Sequence, residues 1–82
     1  MKTYILKEQV ICISDENIVR NTIIGAYATE GLATEKRANK VYDLKKKFNT
    51  DSVYILSGGS QMVSDNTFGY IFSIEELEIQ EA

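Results

Sequence analysis

The amino-acid sequence predicts an α+β fold, a small antiparallel sheet of about four strands with one helix packed on a face. Three observations lead to this prediction. The chain of 82 residues has room for one small domain with one core, residues 1–82. β-Branched and alternating apolar residues dominate its first third and its last part. Between them, apolar residues recur at helical spacing, which gives the element order β-β-α-β-β.

The first strand is predicted over residues 3–13. Its two faces follow from the alternation of side chains along a strand. One face carries Tyr4, Leu6, Val10 and Cys12, and the other carries Ile5, Lys7, Gln9, Ile11 and Ile13. Because both faces are partly apolar, we expect this strand to lie inside the sheet rather than at its edge.

The next segment, residues 18–28, is compatible with two structures. Ser14 and the acids after it could cap a helix, with an apolar face formed by Ile18, Thr22, Ile23, Ala26 and Tyr27. Several of these residues are β-branched, however, and Gly25 would interrupt a helix. We therefore predict a strand over residues 19–28 that pairs with the first strand as a hairpin.

The helix is predicted to begin at Thr29, a suitable N-cap, with Glu30 at the positive end of the helix dipole. Gly31 weakens the first turn, so Thr34 is a rival N-cap. Lysines suit the C-terminal turn, and the helix should stop at residues 49–51. One stripe of the helix contains Ala33, Arg37, Val41, Leu44 and Phe48.

After the helix, we predict a short strand over residues 52–56, an irregular connection to residue 66 and a last strand over residues 67–79. In the last strand, Phe72 and its even-numbered apolar neighbours share a face, whereas Leu77 and Ile79 are odd-numbered. This change of parity predicts a β-bulge at residues 75–76.

The junction between the second strand and the helix, residues 24–33, reads Ile-Gly-Ala-Tyr-Ala-Thr-Glu-Gly-Leu-Ala. It resembles a pattern of strand, Tyr or Phe, Ser or Thr, Glu and Ala in small proteins of phages and low-GC bacteria. Those proteins are similar in length and also end in an acidic strand. The resemblance implies phage or mobile-element origin. The group has no established shared activity, so the resemblance assigns no role to any residue.

Composition excludes several kinds of active site. The chain contains no histidine and a single cysteine, Cys12, which rules out His/Cys zinc sites and Ser/His or Cys/His nucleophile pairs. We therefore expect a protein that is not an enzyme, with no catalytic residue, cofactor or metal. The early charges of the N-terminus do not fit a signal peptide, and no apolar run would span a membrane. A cytoplasmic protein is expected, in the host cell if a phage encodes it.

Charge is unevenly distributed. Residues 34–48 carry a local charge of +4 and the remainder carries −7, against a total of −3. The negative total argues against direct nucleic-acid binding. The candidate partner surface is acidic and contains Asp65, Glu75, Glu76, Glu78 and Glu81. The charge separation suggests a binding protein with an acidic partner surface. The resemblance to small phage and low-GC bacterial proteins implies that it inhibits a host defence protein through this surface.

A second hypothesis is a sequestering protein for a small molecule or nucleotide. Glycine-rich turns can present backbone N–H groups to an anion, and the candidate turn is Ser57, Gly58, Gly59 and Ser60. In this hypothesis the ligand would lie beside the turn in the cleft of a dimer. A homo-oligomer is expected independently, because a sheet covered by one helix leaves a face or edges to protect.

Overall fold

The structure is a computed structural model that describes residues 1–79. Its elements are β1 (Lys2–Cys12), β2 (Ile18–Tyr27), α1 (Glu30–Phe48), β3 (Tyr54–Ile55), β4 (Gln61–Ser64) and β5 (Phe68–Glu78). The predicted α+β class is confirmed, since one helix packs on one antiparallel sheet. Within the described residues the sheet contains five strands rather than about four, in the spatial order β2-β1-β5-β4-β3.

The two longest strands form the middle of the sheet. β1 and β5 each contain 11 residues. They pair in an unbroken register from Lys2 opposite Glu78 to Cys12 opposite Phe68. β1 also pairs with β2 on its other side, so its predicted position inside the sheet is confirmed.

The second segment is a strand, as the β-branched residues predicted, and it forms the expected hairpin with β1. The connecting turn is closed by the hydrogen bond from the Cys12 N–H to the Asn17 carbonyl, at 2.9 Å. Two irregularities interrupt the pairing of β2 with β1 and leave Val19 and Ile24 without a partner residue on β1. Extra residues of this kind bend an edge strand and increase its twist.

The prediction of a β-bulge at Glu75–Glu76 is wrong, because β5 pairs with β1 there without a register shift. Instead, the last four residues of β5 are exposed. The change of parity at Leu77 therefore marks the end of the part of the sheet that the helix covers. Beyond this point both faces of β5 are exposed.

The prediction of an irregular connection up to residue 66 is also wrong in part, since residues 61–64 form β4. Val63 lies opposite Tyr70 of β5 and is fully buried. The short strand predicted over residues 52–56 is reduced to the two residues of β3. A single 3₁₀ turn, Ser57–Gly59, connects β3 to β4.

The helix covers one face of the sheet. Thr29 is its N-cap, as predicted, and Asn49 ends it in the left-handed conformation with its N–H directed at the carbonyls of Lys45 and Lys46. The core cluster combines one helical residue with one from each of three strands, and its members are Leu6, Val41, Val63 and Phe72. Near the end of the helix, the rings of Phe48 and Tyr70 lie 5.3 Å apart between centroids and extend this core.

Candidate functional site

One face of the sheet is not covered by α1. Leu6 and Phe72 point into the core beneath the helix, so the alternate residues of β1 and β5 lie on the opposite face. We call this surface the helix-free face. On β1 and β5 it contains Ile5, Lys7, Gln9, Ile11, Ile71 and Ser73. A sheet face that lacks a covering layer is a surface on which another molecule can pack.

A broad groove of about 590 Å³ crosses this surface. Three strands supply most of its lining, since β1, β2 and β5 are neighbours in the sheet. The lining residues are Lys7, Glu8, Gln9, Asn21, Thr22, Ile23, Ser60, Ile71 and Ser73. Amide, hydroxyl and isoleucine side chains thus alternate across one open surface.

The polar groups of the groove are paired with one another. The Lys7 ammonium forms an ion pair with the Glu75 carboxylate, and the Gln9 side-chain amide donates a hydrogen bond to Asn21 at 3.2 Å. The charge of Lys7 is therefore balanced locally. These two contacts hold Lys7, Gln9 and Asn21 in place on the groove wall.

Exposed apolar side chains concentrate on β2, at the border of this face. Ile18 is 55% exposed, Val19 is 57% exposed and Ile23 is 67% exposed. Within residues 1–79, β2 pairs only with β1, so its outer backbone edge faces solvent. Edge strands with exposed apolar side chains are common places for a second chain to pair.

The acidic end of β5 is less negative than its sequence suggests. Glu75 pairs with Lys7, and Glu76 pairs with Lys2 at 2.8 Å. The hydrogen bond from Lys2 to the Glu76 carboxylate, together with the charge of that carboxylate, raises the pKa of Lys2. The Met1 amino group lies 3.5 Å from a carboxylate oxygen of Glu78. Glu81 lies outside the described residues.

Asp65 does not join these glutamates. It precedes β5, whereas Glu75, Glu76 and Glu78 lie at the far end of that strand. Its carboxylate accepts hydrogen bonds from the backbone N–H groups of Phe68 at 2.6 Å and Thr67 at 2.7 Å. These two bonds lower the pKa of Asp65. The side chain thus stabilises the turn into β5 and lies apart from Glu75, Glu76 and Glu78.

The glycine turn lies beside the helix. Arg37 of α1 donates a hydrogen bond to the carbonyl of Gly59 at 3.3 Å. Together they border a polar cleft of about 290 Å³. Its lining is Tyr4, Glu30, Thr34, Arg37, Gly58, Gly59, Ile74 and Glu76. Two carboxylates and one guanidinium share this cleft.

The lysines of α1 have a local structural role. Lys45, Lys46 and Lys47 occupy the last helical turn, where positive charge is favoured by the helix dipole. The Lys46 ammonium also lies 5.4 Å from the centroid of the Tyr42 ring. Their position explains the positive segment of the sequence without a nucleic-acid ligand.

Among residues 1–79, no group of three or more Cys, Asp or Glu side chains is placed to hold a metal ion. The one helix there is not apolar enough to cross a membrane.

Sequence reasoning missed the groove, although one signal for it was present. The second face of the predicted first strand contains three isoleucines beside Lys7 and Gln9. A single helix covers only one face of a sheet, so this second apolar face had to remain open or pack on another molecule.

The chain matches no protein-family model, no curated protein and no solved structure.

Proposed function

We propose that this protein is a non-enzymatic binding protein whose partner is another protein, and that it binds through the helix-free face. The observation that carries the proposal is the combination on that face of an open groove, locally paired charges and exposed isoleucine side chains. Protein interfaces combine exposed apolar side chains with hydrogen-bonded polar groups, and this face presents both.

The acidic end of β5 is a weaker candidate surface. Two of its glutamates are paired with lysines of β1, and a partner that binds them must first displace those lysines. We propose further that the partner is a host defence protein. A phage or mobile element would encode this chain as its inhibitor, as expected from the sequence.

The test compares two substitutions of the same type. Ser73→Arg places a large charged side chain in the groove, and Ser57→Arg places the same side chain in the exposed glycine turn. A partner recovered in stoichiometric amount from host lysate should be lost with Ser73→Arg and retained with Ser57→Arg. If Glu76→Gln loses the partner and Ser73→Arg retains it, the interface is at the acidic end of β5 and not in the groove.

A second candidate function is binding of a small molecule in the cleft beside Gly58 and Gly59. It is favoured by one observation, the convergence of the Arg37 guanidinium and the glycine turn on one cleft. A nucleotide that binds there should raise the melting temperature of the wild-type protein but not of Arg37→Ala. If no nucleotide changes the wild-type melting temperature, this candidate is excluded.

A further inference from the structure

The two edges of the sheet differ greatly in length. β2 forms one edge with 10 residues, and β3 forms the other with two. Within residues 1–79 no strand pairs with the outer side of β2. A long edge strand offers a row of backbone donors and acceptors to any strand that can lie beside it. The question is therefore which strand fits β2.

The order of apolar and polar residues in β2 is symmetric about Asn21. Residues 18–24 read Ile-Val-Arg-Asn-Thr-Ile-Ile, so two apolar residues flank each side of a three-residue polar centre. If two copies of β2 pair antiparallel about Asn21, Val19 of one copy lies opposite Ile23 of the other, and both side chains are more than half exposed in the single chain. Apolar residues then meet apolar residues, a favourable cross-strand arrangement.

Charge also permits this pairing. Arg20 is the only charged residue of β2, and its guanidinium lies 2.9 Å from a Glu8 carboxylate oxygen of β1. In the pairing about Asn21, Arg20 faces Thr22 of the second copy, so like charges are not brought together. The two irregularities of β2 fall at Val19 and Ile24, at the margins of this pairing, whereas residues 20–23 pair with β1 without interruption.

We propose that a second copy of this chain pairs with β2 in antiparallel orientation about a two-fold axis at Asn21. The axis is perpendicular to the sheet, so both helices lie on the same side and the two helix-free faces become continuous. Asn21, Thr22 and Ile23 line the groove at this border, and the second copy therefore extends it. This dimer stands independently of the proposed protein-binding function.

The first experiment measures mass by sedimentation equilibrium from about 1 µM to about 1 mM protein. The wild type should approach twice the 9.3 kDa chain mass. Ile23→Lys should weaken the dimer at least tenfold. The matched control is Ile55→Lys, since Ile55 is 66% exposed on the opposite edge and Ile23 is 67% exposed. A monomeric wild type throughout, or a dimer disrupted only by Ile55→Lys, would overturn the proposal.

A second experiment tests the register. Opposed residues in an antiparallel pair have Cα atoms about 4.5 to 5.5 Å apart, within the range that a disulfide spans. In a Cys12→Ser background, Asn21→Cys should form a disulfide-linked dimer under mild oxidation, and Ile55→Cys should not. A dimer by sedimentation whose Asn21→Cys form does not cross-link would contradict the axis at Asn21.

Discussion

The Thr29 hydroxyl oxygen accepts a hydrogen bond from the backbone N–H of Leu32 at 3.2 Å, and this contact fixes where α1 begins. Without it, one of the first N–H groups of the helix would have no partner in the chain. Thr34 lies inside the first turns and has no such role, although its sequence context also suited an N-cap.

Thr29→Ala should therefore lower the free energy of unfolding by about 1 kcal/mol, because a capping hydrogen bond is lost. Thr34→Ala is the matched control and should change it by less than about 0.5 kcal/mol, since the residue is exposed. Urea titration followed by circular dichroism measures both. Equal effects of the two substitutions would contradict the assignment of Thr29 as the cap.

Val63 provides a test of β4, the strand that the sequence did not predict. Val63→Ala should lower the free energy of unfolding by about 2 kcal/mol or more, because a fully buried side chain leaves a cavity in the core. Ile55→Ala, at a position of β3 that is 66% exposed, should cost less than about 1 kcal/mol. A small effect at Val63 would mean that residues 61–64 are not held in the sheet.

The difference between the predicted and observed strands has a physical cause. β1, β2 and α1 are long enough for alternation, β-branching, helical spacing and capping to define them locally. β4 contains only four residues, and one of them, Val63, is buried. Its structure depends on pairing with β5. Local propensity carries little information about such a strand.

The candidate site could not be predicted from the sequence for the same reason, since it depends on contacts between strands. Counting charges along the chain marked Glu75 and Glu76 as a negative surface, but Lys7 and Lys2 come within ion-pair distance of them only after β1 and β5 pair. The Lys7–Glu75 contact spans 68 positions in the sequence. The groove likewise combines residues from three strands. Such surfaces follow from strand order, which composition does not determine.

Asp65 should make stability depend on pH in the acidic range. Hydrogen bonds from the N–H groups of Phe68 and Thr67 hold its pKa below the ordinary value. The stabilisation is therefore present above the unfolded-state pKa, near about 4, and is lost as pH falls through the lower folded-state pKa. Asp65→Asn should be less stable than wild type at pH 7, with a difference that shrinks on acidification.

The measurement is the urea midpoint of both proteins from about pH 2 to about pH 7. Asp51→Asn, at an exposed position after α1, is the control and should follow the wild-type profile more closely. A difference between Asp65→Asn and wild type that stays constant with pH would show that the Asp65 carboxylate charge does not stabilise the turn.

The last prediction concerns the glycine turn, where backbone conformation alone decides whether alanine stabilises or destabilises the protein. Gly58 and Gly59 have φ angles of 84° and 85°, and a Cβ atom at either position would meet no atom within 4 Å. Gly58→Ala and Gly59→Ala should each cost roughly 1 to 2 kcal/mol, because left-handed backbone is unfavourable for alanine. No steric clash contributes, so the cost reports the turn conformation directly.

Gly31 is the matched control, since it lies in the first turn of α1 and a Cβ atom there would lie 4.0 Å from the Thr29 hydroxyl oxygen, an ordinary contact. Gly31→Ala should stabilise the protein by roughly 0.5 to 1 kcal/mol, because alanine loses less conformational entropy in a helix. Urea denaturation of the three variants should thus give opposite signs. Stabilisation by Gly58→Ala would contradict the left-handed conformation of the turn.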